Sequence, residues 1–540
     1  MQPFTRQLGA ESGVQLNPLR DNSEIPTADN SDQVFGILMR ATRGRIDKPF
    51  AVDRGNVLKR LGRGESMRST SLNEAWVHVT EALNQGAYQA IVQRLVTTTA
   101  KVKWAVYGAE DGLAATPYTY FVSDVEPEDN FMFAVNHLEC YNDGIKIRFH
   151  AEQKANGGID QPNDKITLNV YDSLDELLYE FYGSLNPDSK NDYGVSDYLP
   201  DLVSRLTDSV EITVGNTREI AVDSLAYGYN NAGHAKKIAS DVLVCFEEGG
   251  TGYTTLDYMA ARSKLQFTPF NYAYISSGGT QSPALLAQLA QLAFDTNRQL
   301  KFDIDGKLTI EAAIAFVEQL NMGASPTAHL MHAFYAPLKC DDPTGINGKL
   351  WLGTATFNIA RCCLRNAQTN TKGFAPKNFP IAGREHPLQR TGIKQNYTPT
   401  DQELNSLARA KINPVLFEIY SGGGRYVFRD SLTCALVESS LKKLIAVADM
   451  STTIDDMVTR VGKDILQLPM EIAIKRMNAF LGSYFEGAQA AGWLVRGEGD
   501  PFKYAVKPNA IRPYDRMDVD YWLRFDGTVR QIFVTQTLTR

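Results

Sequence analysis

Asp303-Ile304-Asp305-Gly306, followed by Glu311, has the acidic spacing of a calcium loop. Such a loop needs an oxygen ligand at its first position and a bidentate glutamate at its twelfth. Lys301 and Ala312 stand at those positions, so the expectation is a helix-entry loop. Gly249-Gly250-Thr251-Gly252-Tyr253-Thr254 and Gly62-Arg63-Gly64-Glu65-Ser66 are glycine-rich. Neither carries the lysine of a phosphate-binding loop or the full dinucleotide spacing, and both read as turns. His329 and His332 have the spacing to share a helical face, with no acidic partner in a metalloprotease arrangement. Asp455-Asp456 reads as the acidic first turn of a helix, set against its dipole. No Gly-x-Ser-x-Gly elbow occurs. These residues lead to the expectation of no catalytic residue, no cofactor and no metal.

The chain that would position them has 540 residues, 43% hydrophobic and 22% charged, which fits a globular protein of roughly three or four domains. Lys plus Arg total 55 against 62 Asp plus Glu, a net charge of −7. That balance argues against a dedicated nucleic-acid binder or a polybasic membrane anchor. No run of about 18 uncharged apolar residues predicts a membrane span. The opening Met1-Gln2-Pro3-Phe4-Thr5-Arg6-Gln7 lacks a basic region followed by an apolar one, so no signal peptide is expected. The six cysteines are then expected as reduced thiols.

Residues 1–32 are polar and proline-broken, and read as an N-terminal arm that is either a frayed tail or a segment that orders on a partner. From 33 to 104 a β-α-β pattern follows: strand Val34–Met39, a short helix from Val57 to Gly62, a helix boxed by Ser71 and Glu74, and strand 90–96. Residues 105–220 read as an inserted, mostly β domain with strands at 118–122, 145–149, 166–170 and 210–214 and one helix from Leu174 to Tyr182. Residues 221–385 read as an α/β domain. Its helices start at Ser282-Pro283 and Thr309, and its strands lie at 242–245 and 273–275. Residues 386–526 read as a C-terminal core domain. It holds a hairpin around Ser421-Gly422-Gly423-Gly424, helices over about 432–447, 453–467 and 471–486, and a strand from Met517 to Phe525.

Residues 527–540 form the last segment: Gly-Thr-Val-Arg-Gln-Ile-Phe-Val-Thr-Gln-Thr-Leu-Thr-Arg, β-branched and free of proline. An unpaired strand of this composition is an aggregation edge. Asp526-Gly527 would allow a hairpin back onto 517–525. The alternative is donation to a neighbour's sheet. The residue types leave both open. The residues that such an exchange would use are Phe4, Leu8, Val14 and Leu16 in the N-terminal arm and Val529, Ile532, Phe533, Val534 and Leu538 in the C-terminal one.

Gly353-Thr354-Ala355-Thr356-Phe357-Asn358 resembles the nucleophile turn of subtilisin-like folds, with Ala355 where the hydroxyl would stand. Over most of residues 33–540 the chain resembles the contractile tail sheath proteins of bacteriophages, a family that also covers contractile bacteriocins. Phe35 to Phe50 resembles that family's opening strand and loop, and Ala82 to Leu95 its helix, glycine turn and strand. Tyr182-Gly183-Ser184-Leu185-Asn186-Pro187 and Asp192 to Tyr198 resemble its inserted domain. Leu404 to Pro414 and Gly424 to Leu432 resemble the entry to its C-terminal domain. The Ser-Gly-Gly-Gly turn at 421–424 departs from the bulkier turn often found there.

The resemblance implies a multidomain α/β and α+β fold. It would hold a discontinuous α+β core, an inserted mostly-β domain, an inactive subtilisin-like α/β domain and exchanged terminal β-arms. It implies a non-enzymatic virion subunit, assembled in the host cytoplasm, that polymerises helically with itself around a tail tube protein. Baseplate and tail terminator would be its other partners, with no nucleic acid and no membrane anchor. The alternatives are a hydrolase on the α/β domain and a non-contractile virion protein.

Overall fold

A computed structural model describes residues 28–64, 74–107, 120–128, 131–151, 165–215, 227–229, 235–237, 242–346 and 348–536. In chain order, β1 (Val34–Met39), β2 (Phe50–Val52), α1 (Val57–Leu61), α2 (Glu74–Gln85) and β3 (Gln89–Arg94) come first. The strand-rich part holds β4 (Trp104–Tyr107), β5 (Tyr120–Ser123), β6 (Phe133–His137), β7 (Ile145–Ala151), β8 (Lys165–Asp172) and β9 (Leu177–Ser184). It continues with α3 (Leu199–Leu206), β10 (Val210–Val214), β11 (Tyr227–Tyr229), β12 (Ala235–Lys237) and β13 (Val242–Val244). Next are α4 (Thr255–Gln266), β14 (Tyr274–Ser276), α5 (Pro283–Thr296), β15 (Gln299–Ile304), α6 (Ile310–Leu320), β16 (Met331–Tyr335), β17 (Leu338–Asp341) and β18 (Lys349–Leu350). The rest is α7 (Ala355–Asn366), β19 (Lys394–Gln395), α8 (Asp401–Arg409), β20 (Ile412–Tyr420), β21 (Gly423–Phe428), α9 (Ile445–Ile465), α10 (Met470–Ala490), β22 (Phe502–Pro508) and β23 (Met517–Leu523).

The organising element is an eight-stranded sheet in the order β2-β3-β1-β14-β15-β16-β20-β21. It draws strands from residues 34–94, 274–335 and 412–428. From β3 to β20 the pairing is parallel. Parallel strands covered on both faces read as unbroken apolar runs, and all six residues of β1, Val-Phe-Gly-Ile-Leu-Met, are buried. Their side chains alternate between two cores. Phe35, Ile37 and Met39 pack with Trp76, Val79 and Leu83 of α2 and Phe357, Ile359 and Ala360 of α7. Val34 and Leu38 pack on the other face with Tyr258 and Leu265 of α4, Leu285, Leu289 and Leu292 of α5 and Val317 of α6. Gly86 closes α2 at φ +127, and a Cβ there would stand 2.7 Å from Leu364 Cβ, so the chain can turn there only with glycine.

The inserted strands form separate sheets, β10-β6-β4-β5 and β13-β7-β8-β9, around Tyr107, Phe133 and Phe149. They meet the first core segment across a junction of opposite charges, arginines on the core side and carboxylates facing them. Arg40, Arg43, Arg45, Arg60 and Arg94 face Glu248, Asp143, Asp208, Glu139 and Glu248, at 2.8, 2.6, 3.1, 3.2 and 3.4 Å.

The expected helix from Leu174 to Tyr182 is a strand, β9, paired antiparallel with β8. The Asp172 carboxylate accepts the Leu174 and Glu176 N–H groups at 2.8 and 2.9 Å, and Asp175 takes φ +66. That turn reverses the chain before a helix can start. The expected helix over 432–447 is irregular chain and a 3-10 turn at Leu441–Lys443 before the α-helix starts at Ile445, with Leu432 bridged to Leu444. A single helix, α9, then runs through the 453–467 region, so Asp455 and Asp456 lie in mid-helix and not in a first turn. Asp456 binds Arg298 and Arg460 at 2.7 Å each, and Asp455 accepts from Asn297 at 3.2 Å and from the Tyr521 hydroxyl. His329 and His332 do not share a helix: His329 lies in a 3-10 turn and His332 on β16. The Ser71 cap of α2 lies outside the described residues.

Candidate assembly site

The C-terminal unit is built on aromatic packing. Phe485 of α10 holds the rings of Phe502, Tyr521 and Tyr504 at 5.5, 5.7 and 6.1 Å. Alternation places Phe502, Tyr504, Val506, Val519, Tyr521 and Leu523 on this apolar cluster. Trp522 points away and is 60% exposed. β22 and β23 pair over their full length as a two-stranded sheet. Neither outer edge has a strand partner among the described residues, and an edge of this kind presents unpaired N–H and C=O groups.

The strand at 517–523 therefore takes β22 as its partner, not the last segment. The hairpin that Asp526-Gly527 would allow, one of the two readings left open, is absent among the described residues: residues 527–536 form neither helix nor strand. After Phe525 bridges to Leu494, the chain crosses to the central sheet, where Arg530 Nε binds Asp430 at 2.9 Å and a second guanidinium nitrogen binds the other carboxylate oxygen. Thr528 to Gln531 cross a groove of about 460 Å3 lined by Leu404, Ala408, Ile412 and Pro414. Val529, Ile532, Phe533 and Val534 are 78, 81, 90 and 87% exposed. Four apolar side chains within six residues thus have little cover among the described residues. Phe4, Leu8, Val14, Leu16 and Leu538 lie outside the described residues. The sequence reading missed Asp430 as the partner of Arg530 and β22 as the partner of β23. Only the second left a signal, the alternation of Phe502, Tyr504 and Val506 with Lys503, Ala505 and Lys507.

The turn around Ala355 is occupied by a carboxylate. Asp303 Oδ1 accepts the N–H groups of Thr354 and Ala355 at 2.6 and 2.8 Å, at the start of α7. These are the donors that an oxyanion would use. Burial pushes Asp303 up to about 6, against the pull of those two bonds. A Cβ on Gly353 would lie 2.3–2.6 Å from the same carboxyl group, so the glycine makes room for it. The nearby Ser276 hydroxyl pairs with Thr356 Oγ1 at 2.6 Å. His332 Nε2 bonds the His329 carbonyl at 3.2 Å, and among the described residues the ring nitrogens of His78 and His137 have no hydrogen-bond partner. Burial, aided by nearby cations, pushes His78 and His332 down to about 3 and His137 to about 4, so all three are neutral at pH 7. Among the described residues no group of three metal-ligating side chains converges, and no helix is long and apolar enough to cross a membrane. The six cysteines are free thiols.

A buried ionic knot joins the C-terminal unit to the central sheet. Asp449 of α9 pairs with Arg365 of α7 and with Lys377 at 3.7 Å, and accepts from Tyr274 of β14 at 3.0 Å. Burial pushes its carboxyl up, but Lys377, Arg365 and Lys301 overcome this and hold it well below the usual carboxylate range.

No family model and no curated protein matches the chain. Solved structures do. The sheath tail protein of Desulfitobacterium hafniense is 12% identical, with 92% of this chain and 93% of that one aligned at a TM-score of 0.48. The sheath tail protein of Listeria innocua is 10% identical over 92% and 96%, also at 0.48. The sheath complex of an extracellular contractile injection system in its contracted state is 14% identical over 54% of this chain and 82% of that chain, at 0.41.

Proposed function

We propose that this chain is the structural subunit of a contractile sheath, polymerising helically around a tail tube. The observation that carries the reading is the uncovered C-terminal segment Ile532 to Val534, in a chain whose two-stranded sheet has no strand partner on either edge among the described residues. Donating that segment as a strand to the β22–β23 hairpin of a second copy covers the apolar side chains and satisfies both backbones. Phe4, Leu8, Val14, Leu16 and Leu538 would take part in the same exchange. The N- and C-terminal arms then keep the mesh connected while each rigid body rotates.

The contraction follows from a metastable extended lattice that relaxes to one with larger lateral interfaces, with no nucleotide consumed. The baseplate would trigger it and a tail terminator would close the far end, on a virion assembled in the host cytoplasm. No reaction is assigned: Ala355 has no hydroxyl, and Asp303 takes the backbone donors beside it.

The test is electron microscopy of the purified full chain and of the chain lacking residues 527–540. Tubes from the first and folded monomers from the second are expected. Normal tubes from the truncated chain would overturn the reading. A single helical state before and after baseplate triggering would leave a non-contractile virion protein in its place.

A further inference from the structure

We infer that Asp430 and Arg530 form a fixed anchor from which the C-terminal arm leaves the subunit, so that the donated strand begins at Gln531. This deepens the sheath reading and rests on it. Phe525 is held to Leu494 by a β-bridge, with the Val495 N–H on the Arg524 carbonyl at 3.0 Å. Arg530 is held to Asp430, two residues beyond the end of β21 at the edge of the central sheet. Residues 526–529 are thus a strap tied at both ends, running from the helical C-terminal unit to the sheet. The arm starts from the sheet edge, not from the hairpin that precedes it in sequence.

The anchor pair is less exposed than the apolar residues on either side of it, Val529 at 78% included. The side chains of Arg530 and Asp430 are 28 and 18% exposed, whereas Ile532, Phe533 and Val534 all exceed 80%. Gln531 is also the last residue to touch the groove. A bidentate guanidinium–carboxylate pair fixes direction as well as distance, which an ammonium at the same place would not. Holding the strap in place beforehand removes its ordering entropy from the exchange step and sets where the arm can reach.

The test uses full-length subunits carrying Asp430→Asn, Arg530→Gln, or the exchanged pair Asp430→Arg with Arg530→Asp. Backbone hydrogen exchange over residues 526–531 in the monomer and the initial rate of tube formation are measured on each, with thermal midpoints to confirm folding. Each single variant is expected to exchange about two- to five-fold faster over the strap, as loss of a partly exposed ion pair dictates, and to assemble more slowly. The exchanged pair is expected to recover both. Unchanged exchange and assembly in Asp430→Asn would overturn the anchor, as would single-variant defects that the exchanged pair does not repair. If the chain lacking 527–540 assembles normally, the sheath reading fails. If that chain stays monomeric while Asp430→Asn behaves as the wild type, the anchor alone fails.

Discussion

Asp303 shows how one buried carboxyl carries both structure and pH dependence. Folded, it keeps its proton up to about pH 6, whereas an unfolded aspartic acid releases it near about 4. Its contribution to stability is therefore complete below about pH 4 and lost as pH rises through 6. Asp303→Asn retains an oxygen for the Thr354 and Ala355 N–H groups but cannot titrate. Urea midpoints of the variant should lose up to about 3 kcal/mol of pH dependence between pH 4 and 6, and an unchanged slope would contradict this. Glu248 makes the contrasting case. It faces Arg40 and the fully buried Arg94, so Glu248→Ala leaves a buried cation uncompensated and should cost about 3 kcal/mol in urea unfolding. Asp175→Asn, which tolerates the same left-handed backbone, removes a charge 56% exposed beside Lys146 and should cost at most about 1 kcal/mol. Charge signs are readable in sequence, but the meeting of positions 94 and 248 is not.

Among the elements, those with a local code were legible. The unbroken apolar run of β1, the Ser282-Pro283 start of α5 and the alternation from Met517 to Leu523 all formed as their spacing implies. β9 was not legible, because Leu174, Leu177, Leu178 and Tyr182 mimic helical spacing while one Asp172 side chain fixes the turn. The last strand-like segment was legible as sticky but not as unpaired in its own chain, since a β-branched run free of proline suits a cis hairpin equally well. Within it Ile532 and Val534 share one face and Phe533 takes the other. Phe533→Asp should leave the monomer folded and weaken assembly about 10- to 150-fold per contact, as the loss of about 1.5–3 kcal/mol of burial implies. Sedimentation of the variant checks this, and wild-type assembly would show that the face is not buried in the polymer.

Across the whole molecule, the long-range pairings were the illegible part. β1 beside β14 joins Phe35 to Tyr274, and β16 beside β20 joins Phe334 to Asn413. Nothing local encodes these pairings, because a parallel strand needs only an apolar run and a crossover of sufficient length. For the candidate site, the apolar arm was legible and its anchor on Asp430 was not, since that ion pair spans 100 residues. Ile532 to Val534 lie uncovered among the described residues, and on the proposed reading assembly supplies the missing cover. A cryo-EM map of tubes grown from the full chain decides this. Residues 531–536 should lie as a strand paired with the β22–β23 hairpin of an adjacent copy. A map in which they fold back on their own molecule, with no sheet crossing between copies, would contradict it.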